Sequence, residues 1–346
     1  MLPLPAIFAR TNSFRGPSPR LPGDQRPAFK EWLHFCIHNA DLTWIGNFSV
    51  NEDAFAPDRR QLGRVIALGR TLPNGPWLGQ VQQFLPGQFH IVPGELTGQW
   101  GQSSLQWNGE ELHLHLQQSD IQADLRLIPQ ALPALSHQIP LSDTATIHWL
   151  MAPRMLATGT LRLGQKTHEL QQVPTYHDHN WGHFAWGDNF SWEWGYALPD
   201  QPQNPWSLVS VRMHDRNRNS LFSAGLFLWK GAQHAAVFRD AQVQGHTEGV
   251  RLIHQAFQIP PSLGLSVPAA FEVPQKLELH AQNGEDMVDL EFQPQDIARI
   301  LLPDDHDLTG VTAICEACGP VRVQGRVRGE PVEIRGHAVY EFMRHA

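Results

Sequence analysis

The run Thr175-Tyr-His-Asp-His-Asn-Trp-Gly-His183 gathers side chains that move protons and hold polar atoms. It continues through Trp186, Asp188, Trp192, Glu193, Trp194 and Tyr196. Between Tyr176 and Tyr196 stand four of the chain's 12 tryptophans, three of its 19 histidines and two of its three tyrosines, which marks a structured aromatic and titratable site. As a strand, this run turns Tyr176, Asp178 and Asn180 to one face and His177, His179 and Trp181 to the other. A carboxyl beside a phenol and an amide in an apolar barrel interior loses solvation in its charged form. Asp178 is therefore expected inside such a barrel as a neutral general acid.

Two other readings use the same residues. Asp178 and the histidines would close a barrel end as a purely structural hydrogen-bonded plug. Alternatively, His177 and His179 would meet His183 or Asp188 around a metal. The metal reading is the weaker, since such sites usually need three convergent ligands and no cysteine is near, and no metal is assigned. Cys315-Glu-Ala-Cys318 is a lone C-x-x-C, read as ordinary strand or turn cysteines, and Asp304-Asp-His-Asp307 reads as a solvated loop.

The elements that must position these groups are strands. Leu112, Leu114 and Leu116 alternate with polar neighbours, as do Val288, Leu290 and Phe292, and Asn108-Gly109 and Asn283-Gly284 mark hairpins. The best helix candidate, Gln295 to Leu302, is two turns long. The chain is read as all-β.

A faint repeat divides it. Glu31-Trp32 recurs as Glu193-Trp194, Gly159-Thr-Leu-Arg-Leu as Gly319-Pro-Val-Arg-Val, and Tyr176 as Tyr340, at offsets near 160 residues. The expected organisation is an arm over 1–29 and two similar antiparallel β-barrel domains over 30–187 and 188–346. Barrels of this size hold one small ligand, here an apolar one. The apolar stretches Ile128–Leu135 and Ile259–Pro268 fall on different sides of the two hairpins, and either would serve as a peripheral membrane contact.

The 346 residues are 41% apolar and 17% charged with a net charge of −8, enough core for one or two domains and no electrostatic footprint for nucleic acid. Three cysteines make no disulfide framework. The proline-broken N-terminus lacks a basic signal-peptide opening, no run of 18 apolar residues exists, and a cytoplasmic location is expected.

Tyr176-His-Asp-His-Asn-Trp-Gly182 resembles the signature of the hydroxyneurosporene synthase, or carotenoid 1,2-hydratase, family, which includes kievitone hydratase and AttH-like proteins. Glu31-Trp32-Leu33-His34-Phe35 resembles that family's Glu-Trp-Trp-Tyr element, Pro153-Arg154-Met155 with Gly159-Thr-Leu161 its Pro-Arg-Leu and Gly-x-Leu stretch, and Gly336–Phe342 its closing strand. Leu33 and His34 depart from the second Trp and the Tyr. His148-Trp149 are adjacent where the carotenoid hydratases separate His and Trp by one residue.

The resemblance implies two tandem lipocalin-like (calycin) barrels and cofactor-free chemistry on apolar, isoprenoid-type molecules. Asp178 would protonate an isolated alkene. Trp181, Trp192 or Trp194 would stabilise the cation, and a water held by His177, Tyr176 or Tyr196 would add. His148, Trp149, His179, Asn180, Glu193, Trp32, His34 and Tyr340 are expected to contact substrate, close to the junction of the repeats. A cyclase or isomerase, Diels-Alderase-like, and a non-catalytic lipid or isoprenoid carrier are the alternatives.

Overall fold

The structure, a computed structural model, describes residues 3–20, 23–254, 256–266, 270–307 and 309–345. The chain divides into two compact units, Met1–Trp186 and Gly187–Ala346. Strands of the first are β1 (Phe29–His38), β2 (Leu42–Glu52), β3 (Gln61–Thr71) and β4 (Leu78–Phe84). The short β5 (Phe89–Ile91), β6 (Thr97–Trp100) and β7 (Ser103–Trp107) follow, then β8 (Leu112–Gln117), β9 (Ile121–Pro129) and β10 (Ala134–Pro140). Two long strands, β11 (Thr146–Leu163) and β12 (Lys166–His183), end the unit. The sheet runs β4-β3-β2-β1-β12-β11-β9-β8-β7-β6-β5, with β10 beside β11.

Strand alternation decides which residues the sheet encloses. Leu33, Phe35 and Ile37 pack with Phe48, Val65 and the leucines of β8 in one apolar core, while their strand neighbours point the other way. The sheet curls into a nearly closed barrel: Trp100 Nε1 on β6 donates to Ser49 O on β2 at 3.0 Å. On β3, Gly63 lets Phe89 and Trp100 approach, since a Cβ there would stand 2.7 Å from the Phe89 ring.

A segment ahead of β1 fills this interior. Helix α1 (Leu4–Thr11) begins after Pro3 and carries Pro5 in its first turn, where a missing N–H costs nothing. Phe8 and Phe14 are fully buried in the barrel core, each stabilising by roughly 1.5–3 kcal/mol. The Arg15 and Gly16 backbone N–H groups donate to the Glu31 carboxylate at 2.7 and 2.9 Å, and Gly16 supplies the left-handed φ of 66°.

The second unit contains β13 (Ser191–Pro199), β14 (Trp206–His214), β15 (Leu221–Lys230), β16 (Gln233–Arg239), β17 (Val243–His254) and β18 (Phe257–Ile259). After them come β19 (Ala270–Asn283), β20 (Asp286–Phe292), β21 (Asp296–Pro303), β22 (Val311–Val327) and β23 (Glu330–His345). Its sheet runs β16-β15-β14-β13-β23-β22-β20-β19-β17, the same path as β4 to β7 of the first with each strand replaced by its counterpart. One face encloses an apolar core that includes Leu208, Leu226, Leu301, Phe292 and Phe342.

Glu31 and Glu193 fall on the counterparts β1 and β13, and Gly159 and Gly319 on β11 and β22. The expected helix over Gln295–Leu302 is instead strand β21, paired with β22 from Asp296 to Pro303. Its run of apolar residues is buried on both faces, which erases the period-2 signal and imitates a helix turn. Val267 and Pro268 of the apolar stretch from Ile259 lie outside the described residues.

Candidate functional site

Strand β12 lies between β1 and β11, and this register assembles the site. Asp178 stands directly across from His34 on one side and Met151 on the other, and Asn180 stands across from Trp32 and Trp149. Asp178 Oδ2 accepts from Trp149 Nε1 at 3.1 Å and from the Tyr176 hydroxyl at 3.0 Å, and Oδ1 accepts from Asn180 Nδ2 at 2.8 Å. The carboxyl is 3% exposed. On the same face Ile45 and Leu68, fully buried, line up with Cys36, and Asn47 stands directly across from His34. Burial pushes the His34 imidazole down to about 3, so a neutral ring faces Asp178.

This face is not the barrel interior, which corrects the expectation for Asp178. Tyr176, Asp178 and Asn180 share their face with Cys36, His34 and Trp32, whereas Leu33 and Phe35, which enclose the core, pair with His179 and His177. The histidines are the ones inside. His177 stacks on Phe35 with ring centroids 4.4 Å apart, accepts from Asn12 Nδ2 at 2.7 Å and donates to His34 O at 2.8 Å. Burial brings it to about 3 as well. His179 Nε2 donates to Glu31 Oε1 at 2.9 Å, both side chains without exposure.

Trp181 closes this inner stack. His148 lies parallel to it at 5.1 Å, and the Arg15 guanidinium sits 4.8 Å from its ring centroid. His148 and Trp149 thus part to opposite faces, and Trp149 alone reaches Asp178. His177 and Trp181, expected to serve Asp178 with water and a π face, stand across the sheet from it, His177 stacked on Phe35 of the core and Trp181 in a small cluster with Phe29 and Leu150. Among the described residues no three His, Cys, Asp or Glu side chains converge as metal ligands.

Trp192, Glu193, Trp194, Tyr196 and Tyr340 belong to the second unit. Glu193 faces the core side, accepting from Arg212 Nη1 at 2.7 Å, while Trp192, Trp194 and Tyr196 take the other face of β13. Tyr340 lies over Gly195, where a Cβ would stand 2.4 Å from its ring, and its hydroxyl bonds Ser210 Oγ at 2.8 Å.

Sequence reading missed Glu341. Trp192 Nε1 donates to its Oε2 at 2.9 Å, and the fully buried Glu316 stands directly across from it. Loss of water raises Glu341 to about 7. The signal was available: Glu316 and Glu341 are acids inside otherwise apolar strand runs.

No protein-family model matches the chain, and no curated protein matches it by sequence. Solved structures do match it. A protein described as an AttH from Nitrosomonas europaea superposes with a TM-score of 0.64 at 14% identity, covering 94% of this chain and 97% of that one. Kievitone hydratase from Nectria haematococca gives 0.60 at 13%, covering 97% and 98%. The chain shares their fold. CghA, solved with Sch210972, follows with 0.58 at 11% identity, covering 92% of this chain and 88% of that one.

Proposed function

We propose that this protein is a cofactor-independent hydratase that adds water to an isolated C=C of an apolar isoprenoid, polyene or prenylated substrate. The observation that carries the reading is Asp178: a carboxyl withdrawn from water, oriented by Trp149, Tyr176 and Asn180, facing a neutral imidazole on the sheet face opposite the core. Two tandem lipocalin-like barrels, supported by the matching strand order of the two sheets, would frame the chemistry. The likeness to kievitone hydratase in fold agrees with this class.

In the proposed reaction Asp178 transfers its proton to the less substituted alkene carbon, leaving a tertiary cation. The π faces of Trp149 and Trp32, on the Asp178 side of the sheet, stabilise that cation. A water oriented by His34 or the Tyr176 hydroxyl adds through oxygen, and its surplus proton returns to the Asp178 carboxylate. The balance is one water added, with the acid regenerated.

Purified protein is incubated with apolar polyenes and prenylated phenols in ¹⁸O-labelled water beside Asp178→Asn, and products are weighed by mass spectrometry. Labelled tertiary alcohol from the wild type, absent from the variant, is the expected result. Undiminished hydration by Asp178→Asn would remove the assigned acid. An isomer of unchanged mass would move the reading to a cyclase or isomerase, and a retained, unaltered ligand to a carrier.

A further inference from the structure

Strand β17 ends the second sheet: β19 pairs with one of its edges, and among the described residues no strand pairs with the other. Its counterpart in the first sheet, β7, is covered at that edge, because β6 pairs antiparallel along it from Thr97 to Trp100. The strand that follows β17, β18, runs parallel to β21 instead. From Gln244 to Val250 every residue of β17 is exposed, on both faces of the strand. Such an edge presents backbone N–H and C=O groups ready to pair with another strand.

The side chains of β17 suit a copy of itself. On the face away from the core, His246 stands directly across from Glu278, and Glu248 across from Lys276. Farther in, Lys276 bonds Glu278 at 2.7 Å and Glu291 at 3.2 Å, His280 bonds Asp289 at 2.7 Å, and Arg322 stands across from Glu291. The side chains of His246 and Glu248 have neither an ion pair nor a hydrogen bond among the described residues.

We propose that the protein forms a two-fold dimer by antiparallel pairing of β17 with β17 of a second copy. With the axis at Thr247, His246 lies opposite Glu248 of the partner subunit, and Glu248 opposite His246 of the partner subunit. Opposed residues are then two apart, so the outer faces of both sheets stay on one side, as the pleat requires. The row across the joint reads Glu278, His246, the partner's Glu248 and the partner's Lys276, an alternation of acid and base that favours cross-strand pairing. Thr247 meets its own copy, and Gly245 meets the partner's Gly249. Gly249 takes a left-handed φ of 63°, which bends the strand and bounds the paired stretch. The contact is isologous, and it places at the second sheet the strand that β6 supplies to the first. It rests on residues of the second unit and is independent of Asp178.

The test is analytical ultracentrifugation of the full chain over a concentration series, and a monomer–dimer equilibrium is expected. His246→Glu sets carboxylates opposite each other at both pairs, and Glu248→Lys sets bases opposite each other, so each variant alone should weaken the dimer about tenfold or more. Mixed in equal amounts, the two should pair again, since the acid introduced in one faces the base introduced in the other. Thr247→Cys should cross-link under mild oxidation and Gln244→Cys should not, the three native cysteines being buried. A wild type monomeric at every concentration, a dimer that neither charge variant weakens, a mixture no stronger than its parts, or cross-linking by Gln244→Cys in place of Thr247→Cys would overturn the proposal.

Discussion

The two sheets follow one path of strands yet treat equivalent acids differently. Glu31 on β1 and Glu193 on β13 both turn toward a core. Glu31 is satisfied by the amides of Arg15 and Gly16, brought by a segment that fills the barrel, and by the His179 ring of β12. Glu193 is satisfied by a cation, the Arg212 guanidinium at 2.7 Å. The same backbone thus gives one buried acid held by the segment that plugs its barrel and another held by an arginine of its own sheet. The opposite face differs as well: Asp178 sits across from His34 on β1, and the same place on β13 is held by Tyr196.

Removing the plug should separate the two most sharply. Phe8→Ala is expected to destabilise the first unit by about 3–5 kcal/mol, the range for an aromatic deleted from a packed core. Calorimetry should show the loss in the first unit's transition and leave the second's in place. Equal loss in both would mean that the plug does not belong to one core.

Acid should act next. His34 and His177 are both lowered from 6.5 to about 3 by burial, so below pH 6.5 the unfolded chain takes protons that the folded one refuses. Their contribution to stability is full above pH 6.5 and is lost as pH falls toward 3. His177→Gln should flatten the fall in melting temperature between pH 6.5 and 4 relative to the wild type, and an unchanged slope would deny the buried neutral ring.

The smallest effect is expected at Glu341, whose acid is raised from 4.5 to about 7, first by loss of water. The folded chain keeps that proton to higher pH than the unfolded one, so its contribution is full below 4.5 and is lost as pH rises through 7. Glu341→Gln should melt close to the wild type at pH 5 and above it at pH 8. A variant less stable at pH 8 would show that the charged form is the favoured one.

Much of this was legible in the residues. Leu112, Leu114 and Leu116 announce their strand because the opposite face meets water, and Asn108-Gly109 and Asn283-Gly284 sit in the β7–β8 and β19–β20 turns. The partition of Asp178 from His177 also follows from period 2 alone. Which of those faces is the interior does not, because from Thr175 to Gly182 every residue of β12 is buried and no polarity contrast remains. The Tyr176 and Tyr340 landmarks reach counterpart strands but opposite faces, Tyr176 across from Cys36 and Tyr340 across from Gly195. Helix α1 escaped notice because two prolines in five residues read as a break, although Pro5 suits a first turn.

The plug also sets an order of events during synthesis. Asn12 waits for His177, 165 residues later in the chain, and Arg15 and Gly16 wait for β1. This stretch, made before every strand of its sheet, is among the last to find its place, and until β12 emerges Phe8 and Phe14 are exposed apolar side chains beside an unfinished sheet. The plug therefore stays unburied until the closing strand of its own sheet is made.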